Sequence, residues 1–174
     1  NMANLEPLIQ SIPVAPLKLA SLEGCRTLAD QVNNYLVSFR HESPTNVGQA
    51  DSLQGYCADS YLLECECPRF GSGEGKGVLK ESVRGCDLFI MVDVTNYSLT
   101  YRVNGYENHM SPDNHYQDLK RIISAADGKA RRINVIMPFL YEGRQHKRSK
   151  RESLDCALML QELVDMGVSN DQSF

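Results

Sequence analysis

No run of apolar residues in the 174-residue chain approaches the roughly 18 to 20 needed to span a bilayer, so a membrane-crossing helix is not expected. The N-terminus also lacks the basic-then-apolar layout of a secretory signal, so a cytoplasmic protein with no membrane partner is expected. Cysteines stand at 25, 57, 65, 67, 86 and 156 without a CxxC pair, which excludes the common zinc-ribbon and thioredoxin patterns and any dense disulfide framework. Reduced, buried thiols are expected instead. Positive charge is scarce: 18 Lys and Arg against 22 Asp and Glu leave a net charge of −4, which argues against a general nucleic-acid binder. Any basic site must be local. HExxH and GxSxG are absent, and His41, His109, His115 and His146 each stand in polar segments, where they read as surface residues rather than metal ligands. Neither a metal site nor a catalytic group is assigned.

Hydrophobic residues at 42% and charged residues at 23% are ordinary globular usage, and the length suits one domain over 1–174. Asn1 before Met2 reads as the remnant of a cleaved tag. Residues 1–20, with three prolines, read as an extended arm. From about Ser21, Leu28, Val32, Leu36 and Phe39 recur with gaps of four and three, the spacing of an amphipathic helix. Residues 40–58 are polar and glycine-containing, the composition of a surface loop or insertion. Tyr61 to Cys67 alternates as a half-buried strand does, placing Leu63, Cys65 and Cys67 on one face and Glu64 and Glu66 on the other. Leu88 to Val92 and Ile133 to Met137 are continuous apolar runs, the pattern of strands covered on both faces. Between them, Asp113 to Ala126 places Leu119, Ile122 and Ile123 on one helical face, with Ser111 or Asp113 as cap and Gly128 as stop. Ser153 to Met166 predicts another helix ended by Gly167, and a further strand is due from about Ser169. Strand, helix, strand, helix implies an α/β fold with a parallel sheet and right-handed crossovers.

Two segments carry candidate chemistry. Just past the third predicted strand, Arg144, Lys147, Arg148, Lys150 and Arg151 place five positive charges within eight residues of an acidic chain. The carboxyl ends of parallel strands are where open α/β sheets bind ligands, and guanidinium groups match phosphate oxygens. A polyphosphate ligand suits this segment, with a solvated basic loop and an RNA-binding patch as the alternatives. The second segment, Arg69-Phe70-Gly71-Ser72-Gly73-Glu74-Gly75-Lys76-Gly77, fits neither the dinucleotide nor the Walker pattern of glycines. It reads as a flexible turn, or as a loop whose Phe70 and Glu74 stack on and hydrogen-bond to a flat heterocycle.

Residues 69 to 168 resemble the N-terminal half of ribose-phosphate pyrophosphokinases. Arg69 to Glu74 is similar to that family's R-F-S-D-G-E, and Glu81 to Ile90 to its E-S-V-R-G-x-D-V-F-I. Asp118-Leu119-Lys120-Arg121 falls in the helix before the family's third strand. Pro138 to Gln145 resembles P-Y-x-x-Y-A-R-Q, and Arg151-Glu152 the R-E that opens the next helix. The resemblance implies a Rossmann-like sheet with flanking helices, of phosphoribosyltransferase type. It also implies transfer of pyrophosphate from ATP to ribose 5-phosphate with Mg2+, in a homo-oligomer serving nucleotide biosynthesis. ATP would be held by Arg144, Gln145 and His146, and its adenine by Phe70, Ser72 and Glu74 reaching in from a neighbouring subunit. His146 and Ser72 stand where the family has aspartates. They leave room for a second reading, a non-catalytic associated homologue or a nucleotide-binding module. The family's catalytic second half has no counterpart here, so a fragment that is inactive by itself is expected.

Overall fold

The structure, a computed structural model, describes residues 13–42, 54–145 and 150–173. The expected strand at Leu88 to Val92 is β5 (Asp87–Met91), and that at Ile133 to Met137 is β8 (Arg132–Met137). They lie side by side in a five-stranded parallel sheet. Leu88, Ile90 and Val135 are fully buried, each contributing roughly 1.5 to 3 kcal/mol by leaving water. Asp87 and Arg132 are paired in register at the start of the two strands. There the Asp87 carboxylate accepts two hydrogen bonds from the Arg132 guanidinium, at 2.9 and 2.6 Å, and one from the Asn134 amide at 2.8 Å.

The central partner of β5 is a correction to the sequence reading. Leu17–Ser21, placed in the extended arm, forms β1, which pairs with β5 along its whole length. Pro13 and Pro16 disguise it by punctuating the approach, and Lys18 interrupts its apolar run. That lysine sends its ammonium out to Glu81 at 3.1 Å. Residues 1–12 of the arm lie outside the described residues.

The first helix starts later than expected: a 3-10 turn at Glu23–Cys25 precedes α1 (Arg26–Glu42). Its buried positions are Ala29 and Asn33, whereas Leu28 is 39% exposed and Val32, Leu36 and Phe39 are half-buried. Small residues let the helix sit close, and the Asn33 side-chain oxygen accepts from the Tyr61 backbone N–H at 2.8 Å, tying the helix to the strand that follows. Residues 40–42 of the expected loop are helical, and 43–53 lie outside the described residues.

Tyr61 to Cys67 is divided between two sheets. β2 (Leu62–Leu63) is the short edge strand beside β1, and β3 (Cys65–Glu66) pairs antiparallel with β4 (Val78–Leu79). The predicted alternation holds, with Leu63 and Cys65 buried and Glu64 and Glu66 exposed. After β5 comes a ribbon that the sequence reading left unassigned, β6 (Thr100–Val103) and β7 (Tyr106–His109). Then α2 (Pro112–Ala126) begins at Ser111, whose hydroxyl accepts from the Asn114 N–H. It ends at Asp127, left-handed at φ 50°, with Gly128 at φ 61°. α3 (Asp155–Asp165) stops before Gly167 at φ 92°, and β9 (Val168–Ser173) follows where a strand was due.

The sheet order is β2-β1-β5-β8-β9. Residues of α1 pack with Leu19 and Met91 in one cluster, and residues of α2 and α3 pack with Leu88, Ile90 and Val135 in the other. The chain therefore winds in both directions from β1, and the switch point lies between β1 and β5. No described helix is long and apolar enough to cross a membrane.

All six cysteines are free. Burial pushes the thiols of Cys25 and Cys65 up to about 11, and burial together with the nearby Asp118 charge pushes Cys67 up to about 12, from an ordinary 9.0. Because the folded state holds these protons more tightly, stability is fully present below pH 9.0 and falls as pH rises towards 11 to 12. The expected outcome is a urea midpoint that drops over that window. Iodoacetamide at pH 8 should leave all three thiols unlabelled in the folded protein, and rapid labelling of Cys65 would contradict it.

Candidate functional site

Two loops carry the residues singled out from the sequence. The first runs from β8 to α3 and is fixed at both of its described ends. Tyr141 is buried, stacks on Tyr116 with ring centroids 4.7 Å apart, and donates its hydroxyl to Asp113 at 2.5 Å. Burial first, and then the Asp113 carboxylate, push the phenol's pKa up, so it remains a donor. Tyr116 in turn donates to Glu162, which also accepts from Lys120 at 2.8 Å. These two partners hold the Glu162 carboxyl below its ordinary value. At the far end the Gln145 side-chain oxygen accepts from the Asp155 backbone N–H at 3.1 Å, capping α3. Between the anchors the backbone turns through Glu142 at φ 54°, and Gln145 N–H donates to the Glu142 carbonyl.

Arg144 stands on this turn, exposed, with no hydrogen-bond or ion-pair partner among the described residues. A guanidinium exposed on such a turn can receive an anion. His146, Lys147 and Arg148 lie outside the described residues. Lys150 and Arg151 are exposed.

The second loop is the tip of the β3–β4 hairpin. Phe70 N–H donates to the Glu74 carbonyl at 2.7 Å and Gly73 N–H to the Phe70 carbonyl at 2.8 Å, so residues 70–74 close a tight turn with Gly73 at φ 90°. The Ser72 hydroxyl donates to the Glu74 carboxylate at 2.9 Å, which orients that carboxylate beside Phe70, itself 55% exposed. Arg69 anchors the turn: it donates to Asp118 on α2 at 2.8 Å and to the Cys67 carbonyl at 3.0 Å. Asp118, 4% exposed, also accepts from Arg121 at 2.6 Å. An antiparallel turn with its base tied to a helix is not a strand-to-helix phosphate loop, despite its glycines at alternate positions.

At the switch point, Asn96 beyond β5 donates to the Gly24 carbonyl beyond β1 at 3.1 Å. His115, expected at the surface, is instead buried, with its Nε2 on the Asn96 carbonyl. Beside it opens a cavity of about 540 Å³, within the range of ligand pockets, bordered by Arg26, Arg69, Phe70, Tyr101, Arg102 and Asp118. Arg144 and Gln145 do not line it. The structure thus ties Phe70, Ser72 and Glu74 into one turn and Arg144 and Gln145 into another, with no hydrogen bond or ion pair between the two turns among the described residues. Asp113, Asp118 and Tyr141 lie in segments the sequence singled out, Asp113 as a cap and the other two within the resemblance, but their role as anchors was missed because their partners are distant in sequence.

A family model described as the N-terminal domain of ribose phosphate pyrophosphokinase matches residues 17–167, from the first residue of β1 to Gly167, just past α3. The chain belongs to that family. Ribose-phosphate pyrophosphokinase of Corynebacterium ammoniagenes is 29% identical over 155 residues, covering 88% of this chain and 38% of the relative. That of Staphylococcus epidermidis is 27% identical over 110 residues, 63% of this chain and 30% of the relative. The chain therefore spans well under half the length of these relatives. The crystal structure of phosphoribosylpyrophosphate synthetase from Mycobacterium smegmatis superposes with a TM-score of 0.62 at 23% identity, over 90% of this chain and 41% of that one. The doubly wound parallel sheet with flanking helices is accordingly the fold of the family's N-terminal domain, and the match starts some fifty residues earlier than the 69–168 resemblance.

Proposed function

We propose that this chain is the ATP-side domain of a cytoplasmic, homo-oligomeric ribose-phosphate pyrophosphokinase. The whole enzyme would move the β,γ-pyrophosphoryl unit of ATP to the anomeric hydroxyl of ribose 5-phosphate, giving phosphoribosyl pyrophosphate and AMP. The observation that carries this reading is Arg144, exposed and without a partner among the described residues, on a loop pinned by Tyr141 and Gln145 at the carboxyl edge of the sheet. Transfer of this kind rests on positioning and charge neutralisation, which a guanidinium on an anchored turn provides and a nucleophilic triad does not. Phe70, Ser72 and Glu74 would read adenine. Their separation from Arg144 within one chain supports an arrangement in which the base loop of one copy serves the phosphate loop of another. Magnesium would arrive on the phosphate oxygens, the hard ligands it takes. Among the described residues no group of three or more His, Cys, Asp or Glu is placed to hold it.

Arg144→Ala in the full-length protein is expected to weaken ATP binding by about 1 to 3 kcal/mol, the range for a charge-assisted hydrogen bond. Calorimetric titration would show a roughly 5- to 150-fold higher Kd, and an unchanged Kd removes the residue from the site. The Ser72 hydroxyl is engaged by Glu74, so the loop tip offers one carboxylate where the family pattern has two. This favours a second reading, a non-catalytic homologue that binds nucleotide. Formation of AMP only when ribose 5-phosphate is present decides between the two.

A further inference from the structure

The β6–β7 ribbon has almost nothing of its own to stand on. All four residues of β7 are exposed, and in β6 only Tyr101 and Val103 are partly covered. A two-stranded ribbon without a core is marginal in water. Its foot is fastened by Met110 N–H to the Leu99 carbonyl at 2.9 Å and by Tyr97 stacked on His109 at 4.4 Å. Its tip is an Asn104-Gly105 turn with φ 49° and 87°, the left-handed pair that a two-residue hairpin demands.

What covers the inner face of this ribbon is the Phe70 loop. Asn104 N–H donates to the Gly71 carbonyl at 2.9 Å. A Val103 methyl occupies the space beside Gly73, 2.7 Å from where a Cβ would stand. Tyr101 lies beneath the Arg69 guanidinium, 5.5 Å from the ring centroid. The contacts fall at Arg69, Gly71 and Gly73, alternating with Phe70, Ser72 and Glu74, whose side chains are exposed. The ribbon thus grips the back of the loop and leaves its reading face open.

We propose that the β6–β7 ribbon is a positioning element for the base-reading loop, with Tyr101 and Val103 setting adenine affinity without touching the nucleotide. The proposal rests on the reading of Phe70, Ser72 and Glu74 as the adenine contacts. A loop that holds its binding geometry only part of the time binds with an apparent affinity reduced by that fraction. If the unbraced loop keeps it about one tenth of the time, ATP binding weakens about tenfold. Binding of the phosphates alone is unaffected.

The test uses the full-length protein carrying Tyr101→Ala and Val103→Ala together, with Tyr101→Phe and Val103→Ile as the conservative pair. Amide hydrogen exchange of 69–77 should speed up while that of 119–126 in α2 does not. The Kd for ATP should rise about tenfold, that for tripolyphosphate should stay within about twofold, and the conservative pair should behave as wild type. Unchanged exchange in 69–77 overturns the brace. Phe70→Ala, titrated alongside, separates the two ideas. If it weakens ATP and the hairpin pair does not, the positioning role alone is wrong. If Phe70→Ala itself leaves ATP binding unchanged, the base-contact reading fails and takes the proposal with it. Equal losses for ATP and tripolyphosphate would mark a general loss of structure and also overturn it.

Discussion

Asp118→Ala is expected to destabilise the domain by about 3 to 5 kcal/mol, the cost of removing one partner from a buried ion pair. The carboxylate, with a side chain only 5% exposed, lies between Arg69 at 2.8 Å and Arg121 at 2.6 Å, and the Arg69 side chain is itself 10% exposed. Without Asp118, Arg69 keeps its charge in a site that water barely reaches. Loss of the counter-charge, rather than of packing, is the cause. Asp118→Asn, which preserves shape and leaves the guanidinium groups unneutralised, should therefore recover little of the loss. Urea unfolding would show the midpoint falling with the slope unchanged. A change below about 1 kcal/mol would mean that the two arginines find other partners, contrary to the burial on which the figure depends.

Gly77→Ala should be the other severe substitution. A Cβ at Gly77 would stand 2.4 Å from the Arg121 carbonyl oxygen and 2.5 Å from its carbon, where the β3–β4 hairpin crosses α2. Both sides of that contact are backbone, so relief requires moving the hairpin off the helix. Overpacking of this kind typically costs about 1 to 3 kcal/mol, and more where the neighbour cannot yield. Gly71→Ala is the internal control, since a Cβ there meets nothing within 4 Å and the backbone is not left-handed. It should stay within about 0.5 kcal/mol of wild type. Equal midpoints for the two variants would show that the close approach to Arg121 is not a constraint.

The parts of the fold legible in the sequence are those whose residues answer to one force at a time. β5 and β8 are buried on both faces and read as continuous apolar runs. α2 carries a hydroxyl cap at Ser111, a proline at its first position and Leu119, Ile122 and Ile123 on one face. β1 escaped because prolines and a lysine whose ammonium reaches the surface obscure a strand of five residues. The β6–β7 ribbon escaped for the opposite reason: β6 alternates over only four residues and β7 is exposed throughout, although Asn104-Gly105 is a strong hairpin turn. The charge density around Arg144 and the aromatic and acidic character of Phe70 to Glu74 were visible as anomalies. Their placement apart from one another follows from strand order and hairpin pairing, which no local pattern encodes. The anchors Asp113 and Asp118 act through partners 28 and 49 residues away, beyond any spacing rule.

The cap that Gln145 places on α3 narrows what this side chain can say to a ligand. Its oxygen already accepts from the Asp155 N–H, which leaves one lone pair and the amide's two hydrogens to face outward. A group that brings a lone pair, as a phosphoryl oxygen or an unprotonated ring nitrogen does, meets two donors there. An exocyclic amine would have to share that oxygen with the helix.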